Sequence, residues 1–193
     1  MFKSKILLGD NSKLAFLSMC KMDVDYSRYK IYFRGAVTLK NAMQLTRIVE
    51  DINEQRCQNQ VIKLHITSDG GDANVGLFCY DKLRLSKIPI HTYCEGWAIS
   101  AASLIYMAGQ QRFITEHSKL LIHQLSYENH SSQTYEQMKD NIYNSNMIMQ
   151  DYKKIYLKET KISEKKLNEL LKKDIFLNVE ECIKWGFAHK ILK

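Results

Sequence analysis

Four short segments of the chain carry residue types that together could catalyse acyl transfer. Ser100 lies in a run of small and apolar residues, His123 lies within Leu-Ile-His-Gln, and Asp174 follows two lysines. A serine hydroxyl is a weak nucleophile until a histidine accepts its proton, and a carboxylate can orient that histidine. The glycine pair Gly70 and Gly71 offers backbone N–H groups that could bind an oxyanion. The sequence therefore contains each type of group that a serine hydrolase needs.

Each of these residues also has a simpler structural explanation. Ser100 is placed where serine favours a helix N-cap, and a histidine in an apolar strand such as His123 is commonly a hydrogen-bonded core residue. Asp174 beside lysines is typical of a solvated surface charge, and a glycine pair is typical of a turn with positive φ. The functional hypothesis is favoured because one mechanism requires all of these residue types together.

Strand-like and helix-like patterns alternate through the middle of the chain. Strands are predicted at 29–33, 60–67, 90–94, 112–114 and 120–122, and helices at 38–53, 74–83 and 100–107. Thr38 is the expected cap of the first helix, Asp72 or Asn74 begins the second, and Gly96 is expected to end the third strand. This order predicts a right-handed α/β stack over a mostly parallel sheet. Gly70 and Ser100 then fall at strand-to-helix junctions, where sites collect in such sheets.

The pattern changes after the predicted sheet. One long helix is predicted at 135–160, followed by helices at 164–172 and 179–185, the last capped by Asn178 and stopped by Gly186. The apolar stripe of the long helix could pack on the chain's own core or on a partner subunit. Residues 1–28 are weakly patterned, and no linker divides the chain, so we expect a single domain over 1–193.

The composition is that of an ordinary globular protein. The chain has 193 residues, 45% hydrophobic and 25% charged, with a net charge of +7. Its basic residues are mostly lysines, half of them between Lys153 and Lys193, which favours a solvated basic surface over a nucleic-acid site. The five cysteines have no CxxC pair and no zinc spacing, so we expect reduced thiols, no metal and no cofactor. No signal peptide or membrane span is evident, which predicts a cytoplasmic protein.

Four motifs in the same order resemble the proteolytic subunit of the Clp protease, ClpP. They are Thr-Ser-Asp-Gly-Gly at 67–71, Gly-Trp-Ala-Ile-Ser at 96–100, Leu-Ile-His-Gln at 121–124 and Lys-Asp-Ile-Phe-Leu at 173–177. The resemblance extends over about 29–192 and implies a ClpP/crotonase-like fold with a protruding handle helix within 127–160. Asp69 stands where the family has proline. Its carboxylate could restrain the turn through an Asx bond or disfavour acidic substrates.

The resemblance also implies a role for each matched residue. Ser100 would be the nucleophile, His123 the general base and Asp174 the group that orients His123. Gly70 or Gly71 would form the oxyanion hole together with Ala101. An extended peptide would bind by strand addition. The residues expected to contact it are Asp72, Leu125 and Ser126.

The implied protein is a serine endopeptidase that cleaves peptides or unfolded polypeptides inside a homo-oligomeric chamber. The resemblance suggests a heptameric ring, stacked through the handle, and an AAA+ unfoldase partner. Two alternatives remain at this point. One is a catalytically silent ring subunit that assembles with active partners, and the other is a crotonase-type enzyme that binds an acyl-CoA thioester oxyanion.

Overall fold

The computed structural model describes residues 22–25, 29–55, 60–126 and 132–193, which contain seven strands and six helices. The strands are β1 Met22–Asp25, β2 Lys30–Arg34, β3 Ile62–Ser68, β4 Ile90–Ile99, β5 Gln111–Thr115, β6 Lys119–Leu121 and β7 Lys190–Leu192. The helices are α1 Leu39–Glu54, α2 Ala73–Arg84, α3 Ala101–Met107, α4 Tyr135–Glu159, α5 Glu164–Leu171 and α6 Val179–Trp185. The weakly patterned residues 1–21 lie outside this part of the chain.

The strands form one sheet in the order β1-β2-β3-β4-β5-β7, with β6 paired to β4. Every pairing is parallel except that of β1 with β2. Helices α1, α2 and α3 connect successive parallel strands, as expected for stacked βαβ units. The predicted α/β class and mostly parallel sheet are confirmed.

The core lies between the sheet and these helices. Ile62, Leu64 and Ile66 alternate along β3 and are fully buried. The predicted apolar stripe of α1 faces them, and its members are all buried: Ala42, Leu45, Ile48, Val49 and Ile52. Alternation of period two in the strand and 3.6 in the helix thus produces two complementary apolar surfaces.

The prediction that Gly96 ends the third strand is wrong, because β4 continues through it to Ile99. The first half of β4 pairs with β5 from His91 to Cys94, and its second half pairs with β6 from Trp97 to Ile99. Gly96 lies between the two halves at φ +90, a backbone conformation that side chains disfavour. The glycine lets the strand bend and change partners, and the second half of β4 then leads directly to Ser100. Strands β1 and β7, of four and three residues, were not predicted.

Helix α4 is the predicted long helix, and only its C-terminal end joins the core. Tyr152, Ile155 and Tyr156 are buried there. Toward the N-terminus the helix exposes large apolar side chains, namely Tyr135, Met138, Ile142, Tyr143 and Met147. The packing hypothesis therefore holds for the C-terminal end of this helix, and the partner hypothesis stays a prediction for its exposed part.

Arg112 of β5 connects several segments through its buried guanidinium, which is 3% exposed. Its Nε donates to the carbonyl oxygen of Phe187 at 2.8 Å, and its Nη2 donates to those of Glu159 and Gly186 at 2.6 and 2.9 Å. Further contacts are made to the Gly109 carbonyl, the His189 ring and the Glu159 carboxylate. One arginine therefore holds the end of α4 and the segment before β7 against β5.

The described cysteines are Cys79, Cys94 and Cys182, all free and buried. Burial raises the pKa of the Cys79 and Cys94 thiols to about 12, so both stay protonated and unreactive. Within the described ranges, no group of three or more His, Cys, Asp or Glu residues could hold a metal ion. No helix of the described chain is long and apolar enough to cross a membrane.

Candidate active site

Ser100 occupies the junction between β4 and α3. Its backbone adopts φ +55 and ψ −127, a strained conformation for a residue other than glycine. The Ser100 N–H donates to the Leu121 carbonyl at 2.8 Å, which ties the junction to β6. Ser100 does occupy the N-cap position of α3, but its hydroxyl makes no capping hydrogen bond. The strained turn instead presents the Ser100 hydroxyl to a neighbouring side chain, as strand-to-helix turns do in serine hydrolases.

That neighbour is His123, which follows β6. The His123 Nε2 atom lies 2.8 Å from Ser100 Oγ, and the Nδ1 atom lies 2.8 Å from Asp174 Oδ1. A carboxylate can only accept a hydrogen bond, so Nδ1 carries the proton toward Asp174. The lone pair of Nε2 is then directed at the Ser100 hydroxyl. His123 is therefore not a core histidine, since its side chain is 25% exposed and its ring nitrogens contact Ser100 and Asp174.

Asp174 lies in the segment between α5 and α6, fixed beside β6 by backbone hydrogen bonds. Leu177 and Leu120 exchange two N–H···O bonds of 2.7 and 3.2 Å, and the Gln124 N–H donates to Leu171 at 2.8 Å. The Asp174 side chain is nevertheless 81% exposed, whereas that of His123 is 25% exposed. Asp174 is thus both a surface charge and the partner of His123.

The glycine turn and the first residue of α3 each offer one available backbone N–H group. The Gly70 N–H already donates to Ser68 Oγ at 3.1 Å. Among the described residues, neither the Gly71 N–H nor the Ala101 N–H has a hydrogen-bond acceptor. Of the two glycines left open by the sequence, Gly71 is therefore the one with a free donor.

The turn is held by Ser68, and not by the Asx bond that was expected from Asp69. The Ser68 hydroxyl donates to the Gly35 carbonyl at 2.6 Å while it accepts from Gly70, so it braces the turn. No Asx bond from Asp69 occurs within the described chain. The Asp69 carboxylate is exposed and makes no contact that would hold the turn.

Close packing fixes the glycine turn against residues 99–101, the proposed nucleophile loop. A Cβ atom added to Gly70 would lie 2.5 Å from the Ile99 carbonyl oxygen and 2.8 Å from Ser100 Cβ. One added to Gly71 would lie 2.5 Å from the Val37 carbonyl oxygen. Both glycines have positive φ, so the tight approach and the backbone shape each require glycine.

These groups open onto a cleft of about 440 Å³. Its wall includes the predicted residues Gly71, Asp72, Ser100, His123, Leu125 and Ser126. The predicted Gly70, Ala101 and Asp174 are not among its lining residues. The remaining lining residues are Asp69, Ala73, Asn74, Ile99, Gln124, Ile148 and Tyr152.

Ile148 and Tyr152 of α4 were not predicted as site residues. They are four residues apart and share one helix face, and the apolar stripe of the long helix was their only signal. Burial, and then the Asp72 carboxylate, raise the pKa of the Tyr152 phenol. Asp72 itself is the N-cap of α2, where it accepts from the Val75 N–H at 3.0 Å, which decides between Asp72 and Asn74.

The fold is that of ClpP proteins. A variant of ClpP1 from Listeria monocytogenes superposes with a TM-score of 0.78, covering 87% of this chain and 93% of that one at 18% identity. The Clp protease family model matches residues 24–193. The chain belongs to the Clp protease family, and the crotonase alternative is set aside on this ground.

Two curated relatives are proteolytic subunits by name. The ATP-dependent Clp protease proteolytic subunit of Deinococcus radiodurans is 30% identical over 137 residues, 69% of this chain. The ATP-dependent Clp protease proteolytic subunit 2 of Treponema denticola is 32% identical over 143 residues, 68% of this chain. The matched regions span 65% and 66% of the relatives' own lengths, just under two thirds.

Proposed function

We propose that the protein is a serine endopeptidase of the ClpP type, with Ser100, His123 and Asp174 as its catalytic triad. The observation that carries the proposal is the continuous hydrogen-bond chain from Ser100 Oγ through the His123 ring to Asp174, with two distances of 2.8 Å. Three segments that are distant in sequence supply the three side chains. Membership of the Clp protease family supports the same chemistry.

The proposed reaction has two halves. Ser100 Oγ attacks the scissile carbonyl carbon while His123 Nε2 takes the hydroxyl proton. The protonated His123 then gives that proton to the leaving amine, and an acyl-enzyme remains on Ser100. A water molecule, deprotonated by His123, attacks the ester and releases the acid. Asp174 holds the His123 tautomer and stabilises the imidazolium in both halves.

The N–H groups of Gly71 and Ala101 would stabilise the oxyanion of each tetrahedral intermediate. Both are without an acceptor in the described chain and flank Ser100. One such donor typically stabilises the transition state by about 3 kcal/mol. A peptide substrate would extend along the cleft between Asp72 on one side and Leu125 and Ser126 on the other, adding a strand.

The proposal includes assembly into a homo-oligomeric ring in the cytoplasm. The exposed apolar side chains of α4, Tyr135 to Met147, form a surface suited to stacking two heptameric rings through the handle. Unfolded polypeptide would be the substrate and an AAA+ unfoldase the partner that delivers it. The segment 127–131 of the predicted handle region lies outside the described residues.

A silent ring subunit is the second candidate, and the exposure of Asp174 favours it. Triad carboxylates are normally buried, where water does not compete for the histidine. With its side chain 81% exposed, Asp174 orients His123 weakly in the single chain. A neighbouring subunit could cover Asp174, in which case the isolated chain would be idle.

Fluorophosphonate labelling tests the proposal directly. The purified protein is treated with a fluorophosphonate, and the adduct is located by peptide mass spectrometry, with Ser100→Ala as control. We expect one adduct, on Ser100, because only a serine activated by a base reacts rapidly. Labelling that persists in Ser100→Ala would contradict the proposed nucleophile. Absence of any adduct in the assembled protein would favour the silent subunit.

A second prediction concerns the glycine turn. Gly70→Ala should reduce the Ser100 labelling rate about 100-fold, because the new methyl group must displace the nucleophile loop. Gly35→Ala is the matched control, since Gly35 also has positive φ, +94, but no atom lies within 4 Å of an added Cβ. Equal labelling of the two variants would show that backbone strain, and not the contact with Ser100, sets the rate.

A further inference from the structure

The cleft beside Ser100 has a charge opposite to that of the protein. Asp69 and Asp72 line it, and the described lining residues include no lysine or arginine. The chain as a whole carries 28 basic and 21 acidic residues. A concave surface lined by charges of one sign concentrates ligands of the opposite charge.

The cleft is defined independently of these carboxylates. Ser100 and His123, whose Oγ and Nε2 atoms are 2.8 Å apart, line it together with Gly71. Asp69 precedes Gly70, whose backbone touches the nucleophile loop, so its carboxylate is one residue from that contact. Asp69 and Asp72 therefore line the same cleft as Ser100 and His123.

Both carboxylates retain capacity to bind a cation. Asp69 accepts no hydrogen bond and forms no ion pair with the described residues, and it is exposed to solvent. Asp72 uses Oδ1 for the Val75 N–H and leaves its second oxygen without a described partner. Asp72 lies close to α4 across the cleft, since the Tyr152 hydroxyl donates to the carbonyl of the adjacent Ala73 at 3.4 Å.

We propose that the cleft selects peptides with a lysine or arginine adjacent to the scissile bond, held by Asp69 and Asp72. This inference rests on the proposed function in that it places the substrate beside Ser100. A lysine or arginine side chain can extend its ammonium or guanidinium group to both carboxylates while its aliphatic stem contacts Ile148. A glutamate at the same position meets two like charges and is disfavoured.

Peptide binding to the Ser100→Ala protein tests the proposal without turnover. Three fluorescein-labelled hexapeptides, identical except for lysine, leucine or glutamate at the third position, are compared by fluorescence anisotropy. We expect the lysine peptide to bind about fivefold more tightly than the leucine peptide, because partly screened ion pairs change the dissociation constant by about that factor. The glutamate peptide should bind most weakly, and the differences should shrink at high salt.

Substitution of the carboxylates identifies the cause. The same measurement in Ser100→Ala combined with Asp69→Asn and Asp72→Asn should remove the preference for lysine. Asparagine keeps the shape of both side chains and the capping of α2. Asp51→Asn, on the exposed face of α1, is the matched control and should keep the preference.

The outcomes separate this inference from the proposed function. Equal affinities of the lysine and leucine peptides, or binding of none of them, would overturn the inference. A preference that survives in the Asp69→Asn, Asp72→Asn protein would overturn it as well. Selective binding by the Ser100→Ala protein, together with no peptide hydrolysis by the assembled parent protein, would instead refute the endopeptidase and leave the cation-selective cleft.

Discussion

Ser100→Ala is expected to lower kcat/KM for peptide hydrolysis by at least about 10⁴-fold, the scale of triad knockouts in serine hydrolases. The reason is that no other described hydroxyl lies within hydrogen-bond distance of His123 Nε2. The measurement is hydrolysis of a fluorogenic peptide by the assembled protein, at concentrations that resolve kcat from KM. The loss should appear in kcat, since the cleft keeps its shape.

His123→Ala should cause a similar loss, and the double variant should lose no more than either single one. Residues that act as one unit show such non-additive effects, whereas two independent contributions would multiply. Far-UV circular dichroism and urea unfolding should match the parent protein, because Ser100 and His123 are only partly buried and make few packing contacts. Residual turnover above 1% in Ser100→Ala would be incompatible with the proposed nucleophile.

Arg112→Met is expected to lower the free energy of unfolding by about 3–5 kcal/mol, the cost of breaking a buried charged network. The substitution leaves the carbonyl oxygens of Glu159, Gly186 and Phe187 without their donor. It also leaves the Glu159 carboxylate, which is 11% exposed, without its nearest buried cation. Urea unfolding monitored by tryptophan fluorescence measures the change.

Arg47→Met provides the matched control for Arg112→Met. Arg47 lies on the exposed face of α1, so its loss should change the free energy of unfolding by less than about 0.5 kcal/mol. If the two variants unfolded at the same urea concentration, the guanidinium of Arg112 would not hold the C-terminal segment. Loss of stability in both would point to a general effect of removing positive charge.

Much of the fold could be predicted because its signals are local. The period-two run of β3 and the 3.6-residue stripe of α1 each depend on neighbours within one element. The N-caps Thr38 and Asn178 were recognised from their own short segments for the same reason. Strands β1 and β7 were not predicted; they are the short end strands of the sheet, and pairing with β2 and β5 stabilises them.

The site was only partly predictable. Sequence motifs supplied the identities of Ser100, His123 and Asp174, but not their distances, because Asp174 is 51 residues from His123 along the chain. By its position alone Ser100 fits an N-cap slightly better than a nucleophile, whereas its hydroxyl makes no capping bond and lies 2.8 Å from His123 Nε2. Cleft residues of α4 such as Tyr152 could not be assigned, since a helical stripe does not reveal what its face covers.

The sequence by itself determined the residue types of the site, the α/β alternation and most helix ends, since these follow from short-range periodicity and capping. Only the tertiary structure decided that β4 bends at Gly96, that Ser68 occupies the Gly70 N–H and so leaves Gly71 free, and that Asp174 faces solvent. Each of these depends on contacts between segments that are distant in sequence. Packing and hydrogen-bond geometry over the whole chain decide which contacts form, and no local pattern encodes them.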